Sequence, residues 1–269
     1  MHGATPKCNF VSSNNTTMRD TKIENEAVAQ ENVTSLAGLE LVKAKGEIEQ
    51  FIYSCSHTLR APLKSIAGLV HLLKSSEGNP EIDPRFFLES IEKTCSKMEL
   101  LLDDFEQFLA NSRQRVATHP VDVREILEEV LQDFQVVIEE EHIQVSMNCD
   151  QTVPFYTDKN RFRVVLSHLI SNAIQFRNNE REKMEVRIHV KVFPSFCTVQ
   201  VRDNGVGIED QVRSHIFDLF YRGSMQSTGS GVGLYIVKEV LNKMKGSITV
   251  RSTETKGSTF LISIPNLMP

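Results

Sequence analysis

Four groups of residues in this 269-residue chain combine side-chain types that could do chemistry at useful spacings. The first is Val201-Arg-Asp203-Asn-Gly205-Val-Gly207-Ile208, an acid followed by two glycines and an apolar residue. A fixed carboxylate such as Asp203 can accept from an exocyclic amine, and Gly205 and Gly207 would let the backbone approach a flat base. The second is Gly229-Ser-Gly231-Val-Gly233-Leu234, placed just before an apolar helical pattern. There, open N–H groups and the helix dipole favour phosphate. The third runs from Asp158 to Phe176 and carries Asn172, whose amide oxygen suits the oxygen shell of a hard Mg²⁺ ion. The fourth is His57, a nucleophile candidate in a helical stretch. Taken singly, each has an ordinary reading: D-x-G-x-G is also a tight turn, Asn172 a polar helix residue, and His57 a solvated surface side chain. Gly257-Ser-Thr259-Phe260 is also a hairpin turn that puts a hydroxyl near the start of a strand.

The elements that must position these groups fall into two parts. Ile48, Ile52, Cys55, Leu59, Pro62, Ile66, Leu69 and Leu73 step by four and three, which predicts a bundle helix interrupted chemically by its proline. Pro62 removes a helical hydrogen bond, so a kink after His57 is expected. The segment Ser75 to Pro84 supplies Gly, Asn and Pro for a turn. Leu88, Ile91, Cys95, Met98, Leu102, Phe105 and Leu109 then repeat the seam, so the two helices form an antiparallel hairpin. A hairpin cannot enclose its own apolar stripe. Pairing with a second copy into a four-helix bundle is the economical remedy, and a homodimer is expected. In this register His57 occupies heptad position f, farthest from the seam and facing solvent.

Beyond Pro120 the pattern changes. Helices are expected near residues 122–139, 159–177 and 231–245, with strands near 143–149, 184–193, 196–202, 246–252 and 258–264. Strands adjacent in sequence favour a mixed or antiparallel sheet with helices on one face. The fold class is therefore α+β: a helical hairpin followed by an α/β sandwich. The divisions expected are a flexible tail at 1–20, a helical segment at 21–46, the hairpin at 47–116 and the sandwich at 117–269.

Composition narrows the classes. No apolar run approaches the roughly 18 residues of a membrane span, and the polar N-terminus shows no secretory h-region, so a cytoplasmic location is expected. Five cysteines without a C-x-x-C pair read as reduced thiols rather than a disulfide framework or zinc site. A net charge of −5 with no long basic run argues against a nucleic-acid partner.

Around the histidine, Phe51-Ile-Tyr-Ser-Cys-Ser-His57-Thr-Leu-Arg-Ala-Pro62-Leu resembles the H-box of histidine kinases, whose pattern is S-H-E-L-R-T-P-L. The resemblance implies that His57 accepts a phosphoryl group, with Arg60 part of the motif. Thr58 stands where the family has an acidic base, and Ala61 where it has Thr or Asn that positions a hydrolytic water. In order and spacing, the later motifs resemble the ATP-binding domain that histidine kinases share with gyrase, MutL-type and heat-shock ATPases, the GHKL or Bergerat fold. That resemblance implies ATP and Mg²⁺. Asp203 would read adenine, Gly205, Gly207 and Ile208 would shape its pocket, Asn172 would hold Mg²⁺, and Phe176 would flank the base. Ile216-Phe-Asp-Leu-Phe-Tyr-Arg222 resembles the F-box. Arg222 would steady phosphate, and residues to about Ser230 would form a lid with Gly229, Gly231 and Gly233 as its exit, followed by Leu234. Thr259 would supply a hydroxyl. His168 replaces the first Asn of the N-box, and Gln175 replaces a Lys that contacts phosphate.

The resemblance thus implies autophosphorylation of His57 from Mg-ATP and passage to an aspartate of a response-regulator receiver domain, docked near Lys64 and His71. The roughly 45 residues before the hairpin are too few for a usual globular input domain, so a separate sensor protein is a candidate partner. A pseudokinase scaffold is the second reading, motivated by Thr58, Ala61, His168 and Gln175. An ATPase of the gyrase or chaperone class comes third, because it has no need of the hairpin.

Overall fold

The computed structural model describes residues 52–53, 55–75, 83–178, 180–222 and 231–268. The tail expected at 1–20, the segment at 21–46, Ile48 and Gly229 lie outside them. The chain divides into two compact units, Met1–His57 and Thr58–Pro269. In the first, Ile52, Tyr53 and Cys55 to His57 are helical, and Ile52, Tyr53, Ser56 and His57 are exposed.

The second unit opens with helical residues 58–75 (α1), which run through Pro62 without a break. Helix α2, Pro84–Arg113, begins with Asp83 accepting from the Arg85 amide and with Pro84 in the first turn. An acidic cap and a proline at N1 are both suited to a helix start. Leu63 and Leu72 of α1 and Phe86, Leu88, Leu100, Leu102 and Leu109 of α2 are exposed large apolar side chains. Of these, Leu88, Leu102 and Leu109 belong to the seam read from the sequence, whereas the α1 residues of that seam, Leu59, Pro62, Ile66, Leu69 and Leu73, are half-buried. Its member Phe105 differs: it is buried, with its ring 6.3 Å from that of Phe220 in the sandwich. Phe108 lies 5.8 Å from Tyr235. The C-terminal half of α2 therefore serves two neighbours, which a single heptad seam does not express.

The sandwich contains β1 (His119–Val121), α3 (Val123–Asp133), α4 (Gln135–Glu140), β2 (Gln144–Asp150), β3 (Phe155–Thr157), α5 (Lys159–Gln175), β4 (Glu185–Val192), β5 (Phe196–Asp203), α6 (Gly233–Lys243), β6 (Ser247–Thr253) and β7 (Gly257–Pro265). The main sheet has the order β2-β4-β5-β7-β6, parallel between β2 and β4 and antiparallel elsewhere. It is the mixed sheet expected. The helix expected over 122–139 is divided at Phe134, and the short pair β1-β3 was not anticipated. Strand β5 alternates buried and more exposed residues, as a sheet covered on one face requires. Its inward residues Cys197, Val199 and Val201 share a core with Phe162, Leu166, Leu169 and Ile170 of α5 and Ile236, Val237 and Leu241 of α6. The described cysteines are unpaired, and burial pushes the Cys197 thiol up to about 12.

One buried ion pair ties the end of α2 to the sandwich. Asp158 caps α5 by accepting from the Arg161 amide, and its other oxygen accepts from the Arg161 guanidinium at 2.5 Å and from the Ala117 amide at 3.0 Å. The same guanidinium donates to the Asn111 side chain and to the carbonyls of Asn111, Gln114 and Arg115. Lys243 donates to the carbonyls of Asn111 and Ser112. A helix ends with unsatisfied carbonyls and a partial negative charge, so two cations form a favourable stop. Burial alone would push the Asp158 carboxyl up, but the two amides and the guanidinium more than offset this and hold it below its ordinary 3.8. Its stabilising contribution is therefore full above the ordinary value and is lost as pH falls through the lower folded one. Arg161→Ala is expected to cost about 3 kcal/mol in urea unfolding at pH 7, because it strands a buried carboxylate. The acid-side loss of stability should shrink in Asp158→Asn.

Candidate nucleotide site

The site is built around the end of β5. Asp203 is buried, and its Oδ1 accepts from the Gly205 amide at 2.9 Å and the Ser258 amide at 3.0 Å. Among the described residues no donor is bonded to Oδ2, an oxygen that could accept from an exocyclic amine. Burial pushes the Asp203 carboxyl up, and the Gly205 and Ser258 amides only partly offset it. Beside it, Asn204 accepts from the Glu185 amide and donates to the Lys183 carbonyl, holding the chain as it leaves the strand.

Backbone packs directly on backbone around this carboxylate. A Cβ on Gly205 would lie 2.2 Å from the Phe176 carbonyl oxygen, and one on Gly257 would lie 2.2 Å from the Asp203 carbonyl oxygen. Gly257 also has φ +99°, a conformation side chains rarely adopt. Gly207 sits at φ +76°. Phe176, at the end of α5, accepts from the Val206 amide at 3.0 Å and has a 38 % exposed side chain beside the loop. Ile208 is fixed from below, its amide donating to Ser252 Oγ at 2.8 Å.

Two serines were not singled out by sequence reasoning. Ser252 and Ser258 face each other across β6 and β7 with their hydroxyl oxygens 2.9 Å apart, next to Asp203. Thr259 is not at this position. It pairs with Arg202 on one side and Arg251 on the other, both exposed, and so shares their outer face of the sheet. Strand alternation gives the inward place to Ser258, one residue earlier. The signal available was the inward Phe260, two residues beyond Ser258.

Helix α5 carries the site from one end to the other. His168, Asn172 and Phe176 are spaced by four residues, about 6 Å per step along a helix, so Asn172 stands midway. The half-buried Gln175 is the last helical residue. At the far end, His168 meets α6: a Cβ on Gly233 would lie 3.0 Å from His168 Nδ1. Helix α6 has Val232 at its N-cap and no side-chain cap bond, and a helix start of this kind can take an anion. Leu234 follows in that first turn. The residues flanking 223–230 are joined where the Phe220 amide donates to the Gly231 carbonyl at 2.9 Å. Arg222 is exposed beside that junction. Among the described residues no cluster of His, Cys, Asp or Glu is suited to hold a metal. An Mg²⁺ ion here would take Asn172 from the protein and its remaining ligands from phosphate and water. A cradle of this kind suits a flat base at Asp203, and a helix start such as that of α6 suits phosphate.

Comparison with known proteins agrees. A family described as the His Kinase A (phospho-acceptor) domain matches residues 47–110. A second, described as histidine kinase-, DNA gyrase B- and HSP90-like ATPase, matches residues 157–267. The chain belongs to the histidine kinases. The autoinducer 2 sensor kinase/phosphatase LuxQ of Vibrio vulnificus is 30% identical over 254 residues, covering 87% of this chain and 28% of LuxQ. The chain therefore spans under a third of that relative's length. Among solved structures, the Acinetobacter baumannii histidine kinase AdeS superposes with a TM-score of 0.63 at 22% identity, covering 79% of this chain and 98% of AdeS. A structure of histidine kinase ThkA in complex with the response regulator protein TrrA gives 0.63 at 21% identity, over 91% of this chain and 66% of that one. Both share the kinase fold. No helix among the described residues is long and apolar enough to cross a membrane.

Two substitutions test the geometry. Asp203→Asn keeps the shape but presents either a donor or a weaker acceptor to the amine, so it should weaken a non-hydrolysable ATP analogue in calorimetry at least tenfold, about 1.4 kcal/mol. A carboxyl whose folded value is raised favours the fold below its ordinary value and disfavours it as pH rises. The variant should therefore melt no lower than wild type at pH 7. Ser258→Ala should weaken nucleotide binding more than Thr259→Ala.

Proposed function

We propose that the protein is an ATP-dependent protein-histidine kinase that autophosphorylates His57 and passes the phosphoryl group to an aspartate of a response-regulator receiver domain. The observation that carries the reading is the coexistence of an exposed His57 in an H-box with a nucleotide cradle anchored on Asp203. In the reaction, the unprotonated imidazole nitrogen attacks the γ-phosphorus. The bond to the β-bridging oxygen breaks, its electron pair leaves on ADP, and the other ring N–H proton is lost. Asn172 would help hold Mg²⁺, and the start of α6 and Arg222 would hold phosphate, so that positioning and charge neutralisation supply most of the rate.

The exposed apolar residues of α1 and α2 support a homodimer that closes a four-helix bundle, with His57 outside it. The ThkA–TrrA complex supports a receiver-domain partner, which would dock over Lys64 and His71, both exposed on α1. The input arrives from a sensor outside the described residues, and the setting is cytoplasmic.

The second reading, a pseudokinase scaffold that dimerises and binds nucleotide without efficient transfer, is favoured by two departures. Thr58 is a poor proton acceptor where a carboxylate is usual, and Gln175 brings no charge where a lysine is usual. One assay separates the two. Incubation with γ-labelled ATP and Mg²⁺ should give acid-labile label that is absent in His57→Gln. Binding without label would favour the scaffold. If the missing base limits the rate, Thr58→Glu should speed labelling about tenfold or more.

A further inference from the structure

The outer face of the sheet carries a row of cations. Register places Arg187 of β4 opposite Arg202 of β5, Arg202 opposite Thr259 of β7, and Thr259 opposite Arg251 of β6, so the four side chains form one line across the strands. The three arginines are exposed. Arg187 bonds Glu185, whereas Arg202 and Arg251 have no acidic partner among the described residues. Like charges directly opposite each other, as in Arg187 and Arg202, disfavour a strand pair. The chain is acidic, with a net charge of −5, so its composition does not force such a row.

A complementary row stands on α2. Glu89, Glu92, Ser96 and Glu99 are exposed, and no ion pair joins these glutamates to another described residue. Lys93 and Lys97 border the row without breaking it. The spacing i, i+3, i+7, i+10 keeps the four on one side of the helix, at about 0, 4.5, 10.5 and 15 Å along its axis. Strands about 4.8 Å apart put Arg187, Arg202, Thr259 and Arg251 at about 0, 4.8, 9.6 and 14.4 Å. The two rows therefore match within about 1 Å. A chain cannot bring its own two rows together. Its α2 packs through Phe108 on Tyr235 of α6, and α6 lies against the opposite, buried face of the sheet.

We propose that the outer sheet face of one copy takes the acidic α2 row of a second copy, in a salt-dependent contact that joins copies head to tail. It stands independently of the kinase reading. Each arginine meets a glutamate, and Thr259 meets Ser96. The planar guanidinium suits a carboxylate better than a lysine would. Because the contact uses different patches on the two molecules, it extends into chains or rings rather than closing as a pair. It also uses residues other than the apolar seam, which stays available to a bundle. Exposed ion pairs are individually weak and screened by salt, so assembly is expected at about 0.1 mM protein and low ionic strength.

Sedimentation velocity of the full chain over a range of concentrations, at low and at high salt, tests the proposal. The mass should rise with concentration at low salt beyond the value reached at high salt. One variant combines Arg202→Glu with Arg251→Glu, and another combines Glu92→Arg with Glu99→Arg. Each alone should need at least about tenfold more protein to assemble. Mixed in equal amounts they should assemble as wild type does, because the reversed sheet face of one meets the reversed helix row of the other, and the two unaltered rows also match. No extra mass in wild type, a rise that survives both reversals, or a mixture of normally melting variants that assembles no better than its parts would overturn the proposal. Should a reversal lower the melting temperature, Arg202→Gln with Arg251→Gln decides: weakened assembly is expected, and unchanged assembly would overturn it.

Discussion

The proposed nucleotide site depends on the buried carboxylate of Asp203, which on that reading must stay ionised enough to accept from an amine. Burial opposes that, and two amides aimed at a single oxygen of Asp203 partly compensate. To bring those amides in, the loop after β5 and the turn before β7 must come within van der Waals contact of other backbone. This explains why glycine stands at 205 and 257, where a methyl group would collide with carbonyl oxygens of Phe176 and Asp203. Ser252, Ser258 and Asn204 then fix the walls through short hydrogen bonds. The pocket is thus a product of close backbone packing around one charge.

A second constraint sits at the other end of the domain. Helix α2 ends with carbonyls that would otherwise remain unpaired, and Arg161 and Lys243 supply cations to them. Arg161 is in turn held by Asp158, which caps α5, the helix that carries His168 and Asn172. The hairpin and the nucleotide site therefore share one helix as a common support.

Much of this was legible in the sequence. Period-two strands gave the mixed sheet, because β4 and β5 bury alternate residues against the helices. Asp203 and its glycines were singled out by their order and spacing with the other motifs, since D-x-G-x-G alone is also a tight turn, and the structure packs Gly205 and Gly257 on backbone around that carboxylate. The misplaced hydroxyl shows the limit: the Gly-Ser-Thr-Phe run contains two hydroxyl residues, and only strand register decides that Ser258 faces Asp203 while Thr259 faces outward. Phe105 fitted the heptad and does belong to α2's apolar side, yet its partner is Phe220, more than a hundred residues away. Such pairings leave no local periodicity. The same holds for Asp158 and Arg161, whose capping was readable from spacing but whose grip on residues 111–117 was not. The pair β1-β3, with strands of three residues each, is too short to carry a pattern.

The account turns on His57 being the acceptor for a phosphoryl group delivered from the Asp203 cradle. The most direct measurement is mass-spectrometric mapping, at neutral to alkaline pH, of the chain after incubation with Mg-ATP. A single phosphate on the peptide containing His57, present in wild type and absent in Asp203→Asn, is the result expected. Phosphate on a hydroxyl side chain, or none on His57 while nucleotide is bound, would contradict it.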